Sequence, residues 1–292
     1  MTDHCRVAVL MAVYNGTKYM DEQISSILGQ SGVSVTVYVS VDLSDDESYA
    51  RVLEWSSRDA RVVPLSYGER FGGAGPNFFR LFRDVNFNNY DAVSLSDQDD
   101  CWFPDKLERS LSCLKEFSCD VYSSNVTAFW PDGRRLLVDK AQQQKKFDHF
   151  FEAAGPGCTY VFSRSSAIAL KTFIIEVSDR LSSVSLHDWL AYAFCRSRGY
   201  RWYIDPCPSM LYRQHSDNQV GTNTGLQAIV KRLNMVRAHW YRKQVSQIVE
   251  LVSPELSSRI DSYFFRLLNF YRMRRRSRDA FILLLLFIFG VY

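Results

Sequence analysis

The sequence contains no apolar run of the length that a membrane-spanning helix needs, which is about 20 residues. It ends in an apolar segment of twelve residues, 281–292, which is too short to cross a bilayer as a helix. At its start there is no basic segment followed by an apolar run and a small-residue cleavage site, so we do not expect export by a cleaved signal.

The sequence also lacks any Cys-x-x-Cys pair. Its seven cysteines are scattered and odd in number, a pattern that supports neither a zinc site nor a disulfide framework. We therefore expect reduced thiols and a cytoplasmic location.

Two enzyme classes lack their characteristic motifs. A dinucleotide oxidoreductase carries Gly-x-Gly-x-x-Gly directly after its first strand, and the glycines within 72–75 are neither so spaced nor so placed. An Asp-based phosphohydrolase would explain Asp97 and Asp99, but it carries such a pair on its first strand, which here ends at 14–16. A non-catalytic, membrane-associated scaffold stays open as an alternative.

The composition is typical of a folded enzyme of about two lobes, with 292 residues, 47% hydrophobic and 23% charged. Apolar runs rich in β-branched residues alternate with helical patterns, which predicts βαβ units and a mostly parallel sheet. The predicted strands are 7–13, 33–41, 61–65, 92–96 and 121–124, and the predicted helices are 19–30, 48–58, 77–83 and 104–117.

Three carboxylates, Asp97, Asp99 and Asp100, directly follow the strand predicted at 92–96. Their oxygen atoms suit Mg²⁺ or Mn²⁺, which in turn bind substrate phosphates. The carboxyl ends of parallel strands are also where open α/β folds bind nucleotides. The alternative is an acidic turn that caps the helix beginning at Pro104.

Three other positions have both a functional and a structural interpretation. Asp42 follows the second strand and is either an acceptor for a base or ribose, or part of a turn. Asp188 is either a general base for an acceptor hydroxyl or a helix cap. His215 is either a metal ligand or a structural group.

Positive charge is concentrated near the end of the chain. Residues 231–278 contain twelve Lys or Arg and three acidic residues, and the apolar segment 281–292 follows. A basic stretch joined to an apolar one is typical of anchoring at an anionic lipid surface rather than of nucleic-acid binding. The alternative is a terminal helix that packs on the catalytic lobe or on another subunit.

Several short motifs occur in the order found in one enzyme family. They are Val9 to Gly16, Asp42, Ser96 to Trp102, Gly157 to Thr159, His187 to Trp189 and Tyr212 to Gly221. In this order, over residues 6–222, the sequence resembles the family 2 glycosyltransferases. Asp-Gln-Asp-Asp-x-Trp with the Arg-Gln-His element is most similar to the bacterial rhamnosyltransferase branch, which builds O-antigen, capsule or other surface polysaccharides.

The resemblance implies a GT-A fold, that is, a Rossmann-like, mostly parallel α/β sheet flanked by helices. It implies a catalytic domain at 1–222, followed by a basic helical region at 223–292. The implied reaction is inverting transfer from a nucleotide-diphosphate sugar with Mg²⁺ or Mn²⁺. The donor is dTDP-rhamnose or, alternatively, a UDP-hexose or UDP-N-acetylhexosamine, and the acceptor is a lipid-linked saccharide at the cytoplasmic face of the inner membrane.

The resemblance also assigns roles to individual residues. The nucleotide-sugar site comprises Ala12, Tyr14, Asp42, Asn77, Asp97, Gln98 and Asp99. The metal site comprises Asp99, Asp100 and His215, with Asp100 as the direct ligand. Asp188 is the catalytic base, and Gly157, Cys158 and Trp189 line the acceptor site. The chain departs from the family pattern at Val41 and Leu43, which replace an acid and a glycine and leave the base, uracil or thymine, open.

Overall fold

The computed structural model describes residues 4–215, 239–290 and 292. The strands, in chain order, are β1 (Cys5–Val13), β2 (Val33–Val41), β3 (Val62–Pro64), β4 (Ala92–Ser96), β5 (Cys101–Trp102), β6 (Val121–Ser124), β7 (Val126–Phe129), β8 (Arg135–Val138), β9 (Val161–Ser163), β10 (Trp202–Asp205) and β11 (Met210–Arg213). Seven of them form one sheet in the order β10-β6-β9-β4-β1-β2-β3.

Within this sheet β1 pairs in parallel with β2 and β4, β2 with β3, and β6 with β10. Strand β9 runs antiparallel between β4 and β6. Residues 7–11 of β1 are fully buried, as expected for a central strand covered on both faces. The prediction of a mostly parallel α/β sheet is confirmed.

A smaller sheet follows the order β5-β11-β7-β8. Strand β5 lies directly after the acidic turn and pairs antiparallel with β11, so Trp102 lies opposite Met210. This pairing brings the chain from Tyr212 to His215 next to the carboxylates at 97–100. The rest of the motif, residues 216–221, and the predicted boundary between 222 and 223 lie outside the described residues.

Helices cover both faces of the main sheet. They are α1 (Met20–Leu28), α2 (Ser48–Arg58), α3 (Ala74–Asp84), α4 (Lys106–Glu116), α5 (Asp148–Phe151), α6 (Arg164–Glu176), α7 (His187–Ser197), α8 (Trp240–Val252), α9 (Ser257–Asp261), α10 (Tyr263–Asn269) and α11 (Ser277–Ile288). Helix α3 begins three residues before the predicted start. Gly75, in the first turn of α3, lies close to the segment that precedes α7, and an added Cβ would be 2.8 Å from the Ser185 carbonyl oxygen.

The basic run near the C-terminus packs on the catalytic lobe. Arg275 is buried, with its Nη2 donating to the Ala153 carbonyl oxygen at 2.8 Å and its Nη1 lying 3.4 Å from a carboxylate oxygen of Asp148. Arg274 donates to the Phe151 carbonyl oxygen at 2.5 Å. The prediction that this run faces lipid is therefore wrong for these two arginines, because they bind internal carbonyls and carboxylates.

Among the described helices, none has both the length and the apolar character needed to cross a bilayer.

Candidate active site

The ends of β1 and β2 are joined by hydrogen bonds at the edge of the sheet. The backbone N–H of Asp42 donates to the Val13 carbonyl oxygen at 2.8 Å. Asn77 is 1% exposed, and its Nδ2 donates to the Ser40 carbonyl oxygen at 3.0 Å. The predicted contact of Asn77 with the nucleotide is therefore not what the structure shows, because the amide is used inside the fold to hold the two strand ends together.

Asp42 organises the glycine-rich loop at residues 68–76. Its carboxylate accepts hydrogen bonds from the backbone N–H groups of Leu43 and Phe71, both at 2.8 Å, and of Gly72 at 2.9 Å. Gly72 has φ of +80°, which favours glycine. Leu43 is not among the described residues with positive φ, so leucine is accommodated where the family carries glycine.

Gln98 locks the turn after β4 to the turn after β1. Its Oε1 accepts from the Tyr14 backbone N–H at 2.7 Å, and its Nε2 donates to the Tyr14 carbonyl oxygen at 2.9 Å. A Cβ on Gly16 would lie 2.6 Å from the same Oε1, so glycine is needed there. Gln98 is predicted to contact the nucleotide-sugar, but both polar atoms of its amide pair with the backbone of Tyr14. The Tyr14 side chain itself is 45% exposed.

Ala12 is the next-to-last residue of β1, is half-buried and lies opposite Ser40 on β2.

Carboxylates crowd together at the end of β4. Oxygen atoms of Asp97 and Asp100 and the Cys158 sulfur lie within 4.8 Å of one another. Burial, and secondarily the charge of Asp99, raises the pKa of Asp97 to about 7. Burial also raises the pKa of Asp100 well above its usual range, with the neighbouring carboxylates adding to the effect.

A divalent cation fits this cluster. Oδ2 of Asp100 is buried and has no hydrogen-bond partner among the described residues, although buried polar atoms normally have one. Close by, Nε2 of His215 lies 2.7 Å from Oδ2 of Asp99, and both side chains are mostly buried. Carboxylate oxygens with one imidazole form a donor set that suits Mn²⁺ or Mg²⁺.

Arg213 ties strand β11 over the acidic turn. Its backbone N–H donates to Oδ1 of Asp100 at 3.1 Å, and its Nε donates to the carbonyl oxygen of Asp99 at 2.8 Å. Its Nη2 also pairs with Glu22. The arginine therefore fixes the geometry of the carboxylates and places His215 beside them.

A buried lysine that the sequence analysis did not identify lies under the same cluster. Lys106 is fully buried, and its Nζ donates to the Cys158 carbonyl oxygen at 2.9 Å and lies 3.1 Å from the centroid of the Trp102 ring. Burial lowers the pKa of Lys106 to about 7, while the charges of Asp100 and Asp97 oppose that shift. Nothing in the sequence around the lysine distinguishes it from a solvated residue of a helix start.

Asp188 lies in the first turn of α7. The Trp189 backbone N–H donates to its Oδ1 at 2.8 Å. Burial raises the pKa of Asp188 to about 6, and its charge in turn contributes to the raised pKa of Asp97. A carboxylate with this pKa is ionised at neutral pH and is a stronger base than an exposed aspartate.

Gly157 makes close contact with the start of α7. An added Cβ would lie 2.7 Å from Nε2 of His187 and 3.1 Å from Cβ of Asp188. The His187 ring stacks on Phe78, with 3.9 Å between centroids, and burial lowers its pKa to about 3, so it is neutral. Glycine at 157 therefore lets the loop approach the aspartate without displacing it.

Two residues predicted to line the acceptor site lie in the interior. Cys158 is fully buried beside the acidic cluster. Trp189 is 3% exposed, its Nε1 donates to the His149 carbonyl oxygen at 3.1 Å, and its ring stacks on Tyr241. Neither has the surface for the predicted acceptor contact, because both pack into the core that supports Gly157 and Asp188.

The sequence of the chain is similar to known glycosyltransferases. Residues 8–167 match the family described as Glycosyl transferase family 2. The chain is 43% identical over 289 residues to the dTDP-rhamnosyl transferase RfbG of Shigella flexneri, covering 97% of this chain and 100% of that protein. It is 26% identical over 166 residues to the UDP-Glc:alpha-D-GlcNAc-diphosphoundecaprenol beta-1,3-glucosyltransferase WfgD of Escherichia coli, covering 56% of this chain and 62% of that protein.

Solved structures share the fold. S. aureus TarS 1-349 in complex with UDP-GlcNAc has a TM-score of 0.58 and 14% identity, covering 98% of this chain and 93% of that one. The mannosyltransferase PcManGT of Pyrobaculum calidifontis, in complex with GDP-Man and Mn2+, has a TM-score of 0.53 and 16% identity, covering 97% and 74%. The predicted GT-A fold and the resemblance to rhamnosyltransferases are confirmed, and the chain belongs to glycosyltransferase family 2, an inverting family.

Proposed function

We propose that this enzyme transfers L-rhamnose from dTDP-rhamnose to a saccharide acceptor during the synthesis of a bacterial surface polysaccharide. The similarity to RfbG, which extends over that protein's whole length, supports the donor most directly. The family membership supports the inverting reaction.

Asp99, Asp100 and His215 would hold the divalent metal, with the unpartnered buried oxygen of Asp100 as the direct ligand. A bound Mg²⁺ or Mn²⁺ acts as a Lewis acid on the charge of the leaving nucleotide diphosphate. The charge of Asp188 contributes to the raised pKa of Asp97, and Asp97 would face the donor sugar. Arg213 on β11 holds Oδ1 of Asp100 and the carbonyl oxygen of Asp99, and Lys106 in α4 holds the carbonyl oxygen of the adjacent Cys158.

Asp188 would accept the proton of the acceptor hydroxyl as that oxygen attacks the anomeric carbon. One carboxylate is sufficient for this role, and a single displacement without an enzyme nucleophile inverts the configuration. The buried position and raised pKa of Asp188 support this assignment.

The nucleotide would bind along the edge formed by Ala12, Tyr14 and Asp42. The exposed Tyr14 ring offers a flat surface for a base. Asp42 shapes the site by holding the backbone of the glycine-rich loop, and its carboxylate retains acceptor capacity for a hydroxyl group of the nucleoside sugar or an N–H of the base.

The acceptor would be a lipid-linked saccharide, and the enzyme would act as a peripheral protein on the cytoplasmic face of the inner membrane. Large apolar side chains exposed on the last two helices support contact with a bilayer.

The release of dTDP from dTDP-rhamnose, in the presence of Mn²⁺ and extracted lipid-linked saccharides, tests the proposal. We expect dTDP release coupled to rhamnosylation of the lipid fraction, and loss of both in Asp188→Asn. Turnover of UDP-glucose or UDP-N-acetylglucosamine instead would keep the mechanism and replace the donor. Turnover of no sugar nucleotide by a folded sample would contradict the proposal.

A further inference from the structure

The last two helices, α10 and α11, pack on each other and leave large apolar side chains in solvent. Phe264 and Leu268 on α10 are 75% and 73% exposed, and Phe289 at the end of α11 is 72% exposed. Together with Phe281, Ile282 and Ile288, which are about half exposed, these residues are here named the C-terminal apolar surface.

This surface is separate from the side of α11 that packs on the fold. Ala280, Leu283 and Phe287 are buried and follow helical spacing, so they form the inward stripe. Leu284 and Leu286 are half-buried beside this stripe, whereas Phe281, Ile282, Leu285 and Ile288 lie on the exposed side of the helix. A helix at a water interface carries polar residues on its outer side, and an exposed apolar side of this size indicates an apolar partner.

The five arginines of the run 272–278 differ in exposure, and one of them, Arg276, donates to the Asp139 carbonyl oxygen. Arg274 and Arg275 donate to backbone carbonyls of the segment 151–154 and are not available to a partner. Arg272 and Arg278 are exposed on either side of the segment that leads into α11, and Arg278 forms a surface ion pair with Asp279 at 3.3 Å. Exposed cations at the border of an apolar surface complement the phosphate groups of lipids.

Resting on the proposed function, in which the acceptor is lipid-linked, we propose that the C-terminal apolar surface inserts into a lipid bilayer by hydrophobic contact. Arg272 and Arg278 lie at the headgroup level. The energy of binding comes from burial of the aromatic and aliphatic side chains, since the inward arginines take no part in it.

Arg274 and Arg275, which point inward, fix the position of the inserted surface relative to the catalytic base. The segment 151–154, held by Arg274 and Arg275, leads directly to Gly157, and Gly157 contacts the turn that carries Asp188. A bilayer bound at α10 and α11 is thereby held at a set position from the site where the acceptor hydroxyl reacts.

Co-sedimentation of the full chain with phosphatidylcholine vesicles, with no donor added, tests this surface. We expect the unmodified chain to bind these neutral vesicles, with a partition coefficient that changes little when salt is added. The partition coefficient should fall about tenfold or more in Phe281→Glu or Phe264→Glu. The control Ile175→Glu, at a position 47% exposed on α6, should bind like the unmodified chain. Arg272→Gln should change binding to neutral vesicles only slightly.

Binding that requires anionic lipid and disappears in salt would overturn the proposal in favour of electrostatic attachment. Absence of vesicle binding, together with a dimer that Phe281→Glu dissociates, would overturn it in favour of a second copy of the chain. Thermal stabilisation by dTDP-rhamnose, measured without vesicles, keeps these outcomes distinct from a failure of the proposed donor.

Discussion

Replacing Asp188 with asparagine should abolish transfer and at the same time stabilise the fold. Burial raises the pKa of Asp188 from its ordinary value of 3.8 to about 6. Each pKa unit corresponds to about 1.4 kcal/mol, so the buried charge costs up to about 3 kcal/mol at neutral pH. Loss of the charged acceptor for the Trp189 N–H, at 2.8 Å, offsets about 1 kcal/mol of this.

The net expectation for Asp188→Asn is a gain of about 1–2 kcal/mol, or a rise in Tm of a few degrees. Because the folded-state pKa is raised, the wild-type chain loses stability as the pH rises from about 4 to about 6. The advantage of the variant should therefore be larger at pH 8 than at pH 5. Turnover should fall by about 10²–10⁴-fold while donor binding is kept.

Thermal unfolding at both pH values and dTDP-release kinetics measure the two effects. Asp132→Asn, at an exposed hairpin residue, is the matched control and should leave turnover unchanged. A variant that is less stable than the unmodified chain at pH 8, or that turns over at a near-normal rate, would refute the assignment of Asp188 as a buried base.

Three further outcomes follow from the site and its support. Gly157→Ala should lower kcat more than it raises the donor KM, because the added Cβ would lie 2.7 Å from Nε2 of His187 and displace the adjacent base, Asp188. Changes of equal size in kcat and KM, measured by steady-state kinetics, would contradict this. Asp99→Asn should weaken Mn²⁺-dependent donor binding about tenfold or more in a thermal-shift titration, and an unchanged Mn²⁺ midpoint would exclude it as a ligand. Arg275→Met should lower the free energy of unfolding, measured in urea, by about 3–5 kcal/mol, because the buried Asp148 carboxylate loses a neighbouring positive charge. A loss under about 1 kcal/mol, which is typical of a surface ion pair, would show that the contact is weak.

The elements that carry the nucleotide site could be predicted from the sequence because their signals are local. Apolar strand runs followed at once by Tyr14, Asp42 and the acidic turn placed these residues at one edge of a parallel sheet. The short antiparallel β9 has no such signal, since its three residues take their direction from pairing with β4 and β6.

The contacts that several residues make could not be predicted, because their partners are distant in sequence. Gln98 pairs with the backbone of Tyr14, 84 residues away, and Arg275 contacts Asp148, 127 residues away. An arginine-rich run next to an apolar segment indicates lipid binding when only composition is considered. Burial against the carboxylates and carbonyls of another segment changes that interpretation, and it also makes truncation of the C-terminus a poor test of membrane binding.

The first measurement to make is the thermal stability of the purified chain with Mn²⁺ and each of dTDP-rhamnose, UDP-glucose, UDP-N-acetylglucosamine and GDP-mannose. A ligand that binds the folded state raises its apparent stability by mass action. We expect the largest rise with dTDP-rhamnose, dependent on Mn²⁺ and reduced in Asp99→Asn. A rise confined to a UDP-sugar or GDP-mannose, or a dTDP-rhamnose effect that is the same without any divalent metal, would contradict a metal-dependent rhamnosyltransferase.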